Sequence, residues 1–383
     1  MRQDLVSQVI NFSTQEIFNK FERKYSINSI DYYPGLVGIE LRNLLDELSA
    51  KHFKKDTPVF FKNKDVLIFS FADLSSLFEI AADKEMIDIS EYASNAINNF
   101  IKYNTTAYKI GNKQFSFDFS YTLGIINVTP DSFSDGGINF DPKAALNSAL
   151  NMIDSGTDII DIGGESSRPG SSPVSTGDEI ARVAPVVREI KKNRPGAVIS
   201  VDTTKSEVAE KVLKLGADII NDISGLTFDK KIVEAVKKFD AGIIIMHMKG
   251  TPKDMQVKPE YNDVVTEVYD FLFRQVKFAK ESGISKIFID PGIGFGKTLD
   301  HNLELLNQLD NFKSIGCPIV VGVSRKSIFK KLLGLETGER ENATSVYNAA
   351  AIQKGARIIR THNIEFGLQT CKLLNSLNKP FNV

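Results

Sequence analysis

Cysteine is nearly missing from this chain: Cys317 and Cys371 are the only two in 383 residues. Two thiols so spaced make neither a disulfide framework nor a metal-ligand pattern, which points to a reducing, cytoplasmic setting. Net charge is also missing. Lys and Arg number 47 against 48 Asp and Glu, leaving −1. No global field draws nucleic acid or an anionic membrane, so any anionic ligand must be gripped by local groups. No apolar run approaches the roughly 20 residues a membrane helix needs. The opening "MRQDLVSQVINFS" lacks the apolar core of a signal peptide. There is no Cys/His cluster for a transition metal, no convincing nucleophile triad and no low-complexity linker.

What is present is a repeated grammar. The composition, 42% hydrophobic and 25% charged, is that of an ordinary soluble protein. From Thr122 onward, short Ile/Val-rich runs alternate with amphipathic helical patterns. The runs are "TLGIINV" (122–128), "DIIDIGG" (158–164), "AVISVDT" (197–203), "DIINDIS" (218–224), "GIIIMHM" (242–248), "IFIDPGI" (287–293), "PIVVGVS" (318–324) and "RIIRTH" (357–362). Near-continuous apolar strands imply burial on both faces, hence a parallel sheet under helices. "KAALNSALNMIDSG", "KSEVAEKVLKLG" and "HNLELLNQLDNF" read as helices, with Gly156, Gly216 and Gly283 as stops. Eight such units make an α/β protein with a (β/α)8 TIM barrel over residues 106–383. An open doubly wound sheet is the alternative, but it more often carries a Gly-rich phosphate fingerprint after its first strand, and none occurs here.

Residues 1–105 follow no such grammar and read as a small α+β domain. "SQVINFSTQEIFNKFERKY", "GIELRNLLDELSAKHF" and "DISEYASNAINNFIKY" have helical spacing. "PVFFKNKDVLIFSFAD" reads as two strands about a turn at Lys62–Asp65. "AYKIGNKQFSFDFS" (107–120) reads as a hairpin with a Gly-Asn turn, suited to closing the bottom of the barrel.

Barrel active sites lie at the C-terminal strand ends. Strand one delivers Asn127 there, then Asp131, Phe133 and Asp135 on a loop. Strand two delivers Asp161, then Ser167 and Arg168. Asp202 ends strand three, Asn221 and Asp222 strand four, Met246 and His247 strand five. Asp290 and "PGIGFGK" follow from strand six, Ser324, Arg325, Lys326 and Ser327 from strand seven, Arg360 and His362 from strand eight. Singly, most have plain readings. Asp202 could serve a helix N-terminus, Asn221–Asp222 could shape a loop, and His247 reads as a hydrogen-bonded core histidine. "GIGFGK" lacks Walker spacing. Together they form a polar ring that a barrel does not need for stability. Arg168, Lys326, Arg360 and His362 suit an anion with many oxygens, such as a diphosphate. Asp202, Asp290 and Asn221 suit a flat heterocycle rich in N–H donors, with Phe295, Met246 and Ile223 as apolar faces. A hard cation such as Mg2+ is compatible with Asn127.

"NVTPDSFSDGG", "GGESSRPG", "VDT", "ND", "MHMKGTPKDMQ", "DPGIGFGK", "GVSRKS" and "RTH" fall in the order seen in the dihydropteroate synthase family, which the chain resembles across residues 108–380. The resemblance implies a folate-pathway transferase joining 4-aminobenzoate to (7,8-dihydropterin-6-yl)methyl diphosphate. It implies Asp202, Asn221, Asp290 and Lys326 on the dihydropterin, with Ile223, Met246 and Phe295 lining that pocket. Arg360 would cover the pocket and, with Asn127, Arg168 and His362, hold the diphosphate. Phe133, Ser167, Pro169 and Ser327, with Arg168 also at its edge, would form the aminobenzoate pocket, the carboxylate lying at the N-terminus of the helix beginning near Ser327. Asp202, Lys326, Asp135 and Arg360 would serve the chemistry, and Asn127 would be the direct protein ligand of Mg2+. A homodimer, sensitivity to sulfonamides and mobile first and second loops belong to the same expectation. The family often has Thr where Ser167 stands, and usually Asp where Asn363 stands. The N-terminal extension matches no fused folate enzyme by motif. Two other functions stay open: a pterin-dependent methyltransferase on the same barrel, and a non-catalytic pterin-binding scaffold.

Overall fold

The computed structural model describes residues 5–27, 29–30, 32, 36–43, 59–70, 87–129 and 142–377. These fall into two compact units, one drawn from Met1–Asn104 with Gln308–Gly316, the other from Thr105–Asn307 with Cys317–Val383.

The first unit is an antiparallel sheet with a helix on each face. Its strands are β1 (Val6–Asn11), β2 (Val37–Arg42), β3 (Val59–Lys62) and β4 (Asp65–Ser70), in the order β1-β2-β4-β3. Helix α1 (Gln15–Tyr25) lays Ile17, Phe18 and Phe21 on Ile10, Phe12 and Leu67. Helix α2 (Ile87–Ile101) lays Ala93, Ala96 and Ile97 on Val9, Ile39 and Ile68. Two helical expectations fail here. Val6–Asn11 and Val37–Arg42 are strands, because each is buried on both faces between α1 and α2, and a short two-faced strand shows the same apolar density as a helix. The helix begins only at Gln15, where Thr14 Oγ1 caps it by accepting the Ile17 N–H. Residues 44–53 of the second pattern lie outside the described residues.

The Gln308–Gly316 stretch also departs from the expected pattern. The helix read through residues 301–312 stops at Asn307, and Leu309–Ile315 is a 3-10 turn belonging to the N-terminal unit. There the Asn11 backbone N–H donates to Asn311 Oδ1 at 3.0 Å and Asn11 Nδ2 donates to Asp310 Oδ2 at 2.6 Å. Phe312 is fully buried.

In the second unit, β5 (Ala107–Ile110) and β6 (Lys113–Ser116) form the hairpin. Eight parallel strands then close into a barrel: β7 (Tyr121–Asn127), β8 (Ile159–Gly163), β9 (Val198–Asp202), β10 (Ile219–Asp222), β11 (Gly242–Met246), β12 (Ile287–Asp290), β13 (Ile319–Val321) and β14 (Ala356–Thr361). The intervening helices are α3 (Pro142–Asp154), α4 (Thr176–Asn193), α5 (Ser206–Lys214), α6 (Ile232–Lys238), α7 (Val264–Glu281), α8 (Leu299–Asn307), α9 (Ile328–Leu333) and α10 (Glu341–Gln353). Helix α11 (Ile364–Leu377) follows the last strand. Gly156, Gly216 and Gly283 end their helices at positive φ, which is why glycine stands there. The hairpin's Ile110, Phe115 and Phe117 pack on the lower interior residues of the barrel, closing its bottom. Among the described residues no helix is long and apolar enough to cross a membrane.

Candidate active site

Side chains alternate along a strand, so the lower interior fixes which residues face inward above it. Ile159, Val198, Ile219, Phe288 and Ile358 form the lower apolar layer. Two residues further on, the same strands carry Asp161, Ser200, Asn221, Asp290 and Arg360. The register places Asp161 beside Ser200, and Asn221 beside Asp202.

Arg360 organises this layer. Its Nε donates to Asp161 Oδ2 at 2.7 Å and its Nη2 to Asp202 Oδ2 at 3.0 Å. Asn221 Nδ2 donates to the same Asp161 oxygen at 3.1 Å. In the sequence Asp161 is a carboxylate inside an apolar strand, with nothing to mark its partners. It is fully buried, and it holds two expected ligand-binding residues from beneath. Its Oδ1 and the hydroxyl of Ser200 are buried without partners.

Asn221, Ile223, Met246, Asp290, Phe295, Lys326 and Arg360 line one narrow pocket. They are the expected pterin-pocket residues except Asp202, which joins through Arg360. Lys326 Nζ stands 3.9 Å from the centre of the Phe295 ring, a cation–π contact that sets the ammonium over the pocket wall. Met255 joins the apolar cluster of Ile223, Met246 and Phe295, an addition the sequence did not reveal. Burial pushes Asp202 up to about 8, helped by Asp161, Glu179 and Asp222 and opposed by Arg360. Burial likewise pushes Asp290 up to about 6 and Lys326 down to about 8. A pocket that raises its acids and lowers its base is short of water and ready to receive charge.

The loop after β12 is shaped by glycine and one lysine. Gly292 and Gly296 have positive φ, and a Cβ at either would strike backbone oxygen, at 1.9 Å from His247 O and 2.3 Å from Lys249 O. Lys297 is buried, donating to Gly292 O at 2.9 Å and Phe295 O at 3.0 Å, with its Nζ 2.9 Å from His247 Nδ1. It therefore braces the loop from inside instead of meeting a phosphate. His247 is the buried, hydrogen-bonded histidine of the plain reading. Asn221 and Asp222 divide their labour: Asp222 accepts the Ser224 and Leu226 N–H groups and shapes the loop, while Asn221 faces the cavity. Asp202 caps no helix, because Asp229 accepts the first N–H of α5, that of Ser206.

The remaining residues surround this pocket. His362 feels the positive charge of Arg360, Arg325, Lys326 and Arg168, and with burial as the larger cause its pKa falls to about 3. Its Nδ1 lies 3.0 Å from Ser324 Oγ. Arg325, a non-glycine residue at φ 57, is held in this strained turn by α10: its Nε donates to Glu341 Oε1 at 2.5 Å, and its carbonyl accepts Arg340 Nη1 at 2.7 Å. Ser167 is half-buried and Arg168 and Pro169 exposed on the second loop. Lys205 ties the base of that loop by bonding both Glu165 and Glu179. Ser327 is exposed, but the helix it precedes has 6 residues and receives no side-chain cap from it. So short a helix gathers little dipole, so the argument for an anion at its N-terminus weakens. Asp131, Phe133 and Asp135 lie outside the described residues. Among the described residues no group of three or more His, Cys, Asp or Glu could hold a metal ion. Asn127 Oδ1, at the end of β7 and 3.8 Å from a Cβ built on Gly163, is a single hard oxygen donor. It fits a cation that keeps its waters and shares ligand oxygens, as Mg2+ does.

The family model described as pterin binding enzyme matches residues 123–362. The dihydropteroate synthase of Synechocystis is 42% identical over 261 residues, covering 67% of this chain and 90% of that one. The dihydropteroate synthase of Yersinia pestis, solved in a sulfonamide drug complex, aligns with a TM-score of 0.67 and 36% identity over 71% of this chain and 98% of that one. The Xanthomonas albilineans dihydropteroate synthase, solved with 4-aminobenzoic acid, aligns with a TM-score of 0.67 and 34% identity over 72% and 99%. The family match over this barrel places the chain among the pterin-binding transferases: it belongs to the pterin binding enzyme family. Its activity is that of a dihydropteroate synthase, which forms dihydropteroate in folate biosynthesis.

Proposed function

We propose that the pocket lined by Asn221, Asp290, Lys326, Arg360, Met246, Ile223 and Phe295 holds the dihydropterin ring of (7,8-dihydropterin-6-yl)methyl diphosphate, the convergence of its polar and apolar lining being the observation that carries this reading. Asp290, Asn221 and Lys326 take the heterocycle's donor–acceptor edge, and Met246, Ile223 and Phe295 its faces. Arg360 commits Nε and Nη2 to Asp161 and Asp202, which aims the guanidinium and leaves Nη1 for an anion. With Asn127, Arg168 and His362 it receives the diphosphate. Ser167, Pro169, Ser327 and Phe133 take 4-aminobenzoate.

The reaction breaks the bond from methylene to diphosphate oxygen, and the electron pair leaves with the diphosphate. The aniline nitrogen then forms the new bond and sheds a proton. Charge is the main demand. If all are ionised, Asp161, Asp202 and Asp290 exceed Arg360 and Lys326 by one negative charge, which matches a pterin-centred cation. In the empty pocket burial keeps Asp202 protonated near neutrality, its pKa being about 8. Positive charge developing on the pterin favours the ionised carboxylate, its proton passing to water, so that a neutral wall becomes a stabilising one. Mg2+ held by Asn127 would supply further neutralisation of the diphosphate. Asp135 would be a partner for the metal or the amine.

The same reading covers setting and assembly. Exposed Leu333, Val346, Leu373 and Leu377 on α9, α10 and α11 support a homodimer through these late helices, checked by sedimentation. Both cysteines are free and buried, which suits a reducing cytoplasm. A sulfonamide competes with 4-aminobenzoate. The deciding experiment measures diphosphate release from the pterin substrate. Release that requires both 4-aminobenzoate and Mg2+ supports the reading, and release indifferent to aminobenzoate defeats it.

A further inference from the structure

Ser324 is buried, 5% exposed, and its hydroxyl meets a single residue twice. Its Oγ lies 3.0 Å from His362 Nδ1 and accepts the His362 backbone N–H at 3.2 Å. Among the described residues this hydroxyl has no other partner.

Counting hydrogens leaves one arrangement. A hydroxyl has one hydrogen and two lone pairs, and a neutral imidazole has one N–H and one bare nitrogen. One lone pair of Oγ takes the backbone N–H. If the ring proton sat on Nδ1, two N–H groups would point at Oγ and the hydroxyl hydrogen would be buried with no acceptor. If Oγ–H donates to Nδ1, every group is satisfied and the ring proton sits on Nε2. A doubly protonated ring repeats the first defect and adds a charge among Arg360, Arg325, Lys326 and Arg168.

We propose that Ser324 is a positioning residue that fixes His362 as the neutral Nε2–H tautomer, so that the imidazole offers a donor to the departing diphosphate. This rests on the diphosphate role given to His362 above. Of the groups expected on that anion, Arg168 and Arg360 can only donate. A histidine could turn a lone pair on the anion instead, and Ser324 removes that possibility before the substrate arrives. Diphosphate then meets a set of donors that need no reorganisation, and leaves without having to surrender a proton to a base.

The chain has four histidines, so ring nitrogen signals from histidine-labelled protein can be assigned with one variant, His362→Asn. In the folded wild-type protein His362 is expected to give the neutral Nε2–H pattern across pH 5.5–8, the range in which an unperturbed imidazole titrates, about 6.5. Ser324→Ala should move it toward Nδ1–H or a mixture and weaken binding of inorganic diphosphate by about tenfold in calorimetry. Ser324→Thr should restore both. Ser324→Cys keeps the volume with a poor donor, and stands in if the alanine variant fails to fold. An Nδ1–H or imidazolium pattern in the wild type, or an unchanged pattern in both Ala and Cys variants, overturns the proposal. If His362→Asn binds diphosphate as well as wild type, the diphosphate role is wrong, and the spectra still judge the tautomer alone.

Discussion

Leu123, Ile159, Val198, Ile219, Ile244, Phe288, Val320 and Ile358 fill the lower interior of the barrel. Advance each by two residues and the list becomes Ile125, Asp161, Ser200, Asn221, Met246, Asp290, Gly322 and Arg360. One layer is wholly apolar, while the next holds carboxylates, an amide, a hydroxyl and a guanidinium. The strands and the register are the same, so the difference lies in side chains alone. The lower layer stabilises the fold. The upper layer works against it, with Asp161 Oδ1 and Ser200 Oγ left unpartnered and acids pushed toward neutrality by burial. The fold keeps the second because the first, sealed by Phe115 and Phe117, supplies the stability.

The sharpest way to test that division is at Asp202. Asp202→Asn should reduce turnover by about a thousandfold, in line with the loss of a group aimed at transition-state charge, with no loss of thermal stability. Near-normal kcat would remove Asp202 from the charge-stabilising role. The opposite signature is expected one layer down. Phe288→Ala should destabilise the fold by about 3–5 kcal/mol in denaturant titrations, while the KM of folded enzyme for the pterin substrate stays near wild type. Lys326→Ala should weaken binding of a pterin by about 10- to 100-fold in calorimetry, the cost of a charged hydrogen bond. An unchanged affinity would take the ammonium out of the pocket.

The smallest effect is on pH. Asp202 titrates at about 8 when folded and at about 4 unfolded. Between those values the folded state holds a proton that the unfolded state has lost, so this group's contribution to stability falls as pH rises through that window. Asp290 and Asp222 act in the same direction up to about 6. The Tm of Asp202→Asn relative to wild type should therefore climb between pH 5 and pH 8, by about 2–4 °C. A flat difference would mean that Asp202 is ionised in the empty pocket.

The barrel was legible because each strand is a short Ile/Val run ending in polar residues, and because glycines at 156, 216 and 283 stop their helices. Asp290, Asn221, Lys326 and Arg360 were legible as polar groups at strand ends. What escaped is what depends on partners distant in sequence. Asp161 looked like one more polar strand residue until Arg360 and Asn221 met on its oxygen. Ser324 looked like part of a motif until it met His362. In the N-terminal unit, Val6–Asn11 and Val37–Arg42 read as helix because apolar density says that a segment is buried, not which element buries it. The 3-10 turn at Leu309–Ile315 escaped for the same reason, since its apolar residues continue the pattern of α8 while packing elsewhere.

That turn also sets an order of assembly. Asn11 bonds Asn311 and Asp310 across 300 and 299 residues of chain. At about 5–20 residues per second on a ribosome, β1 emerges early and its last partners follow tens of seconds later, after six of the eight barrel strands have been made. The unit begun first is thus completed nearly last, when Asn311 and Asp310 reach Asn11. The long-range bonds of Asn11 tie completion of the N-terminal unit to synthesis of the barrel's sixth strand and helix.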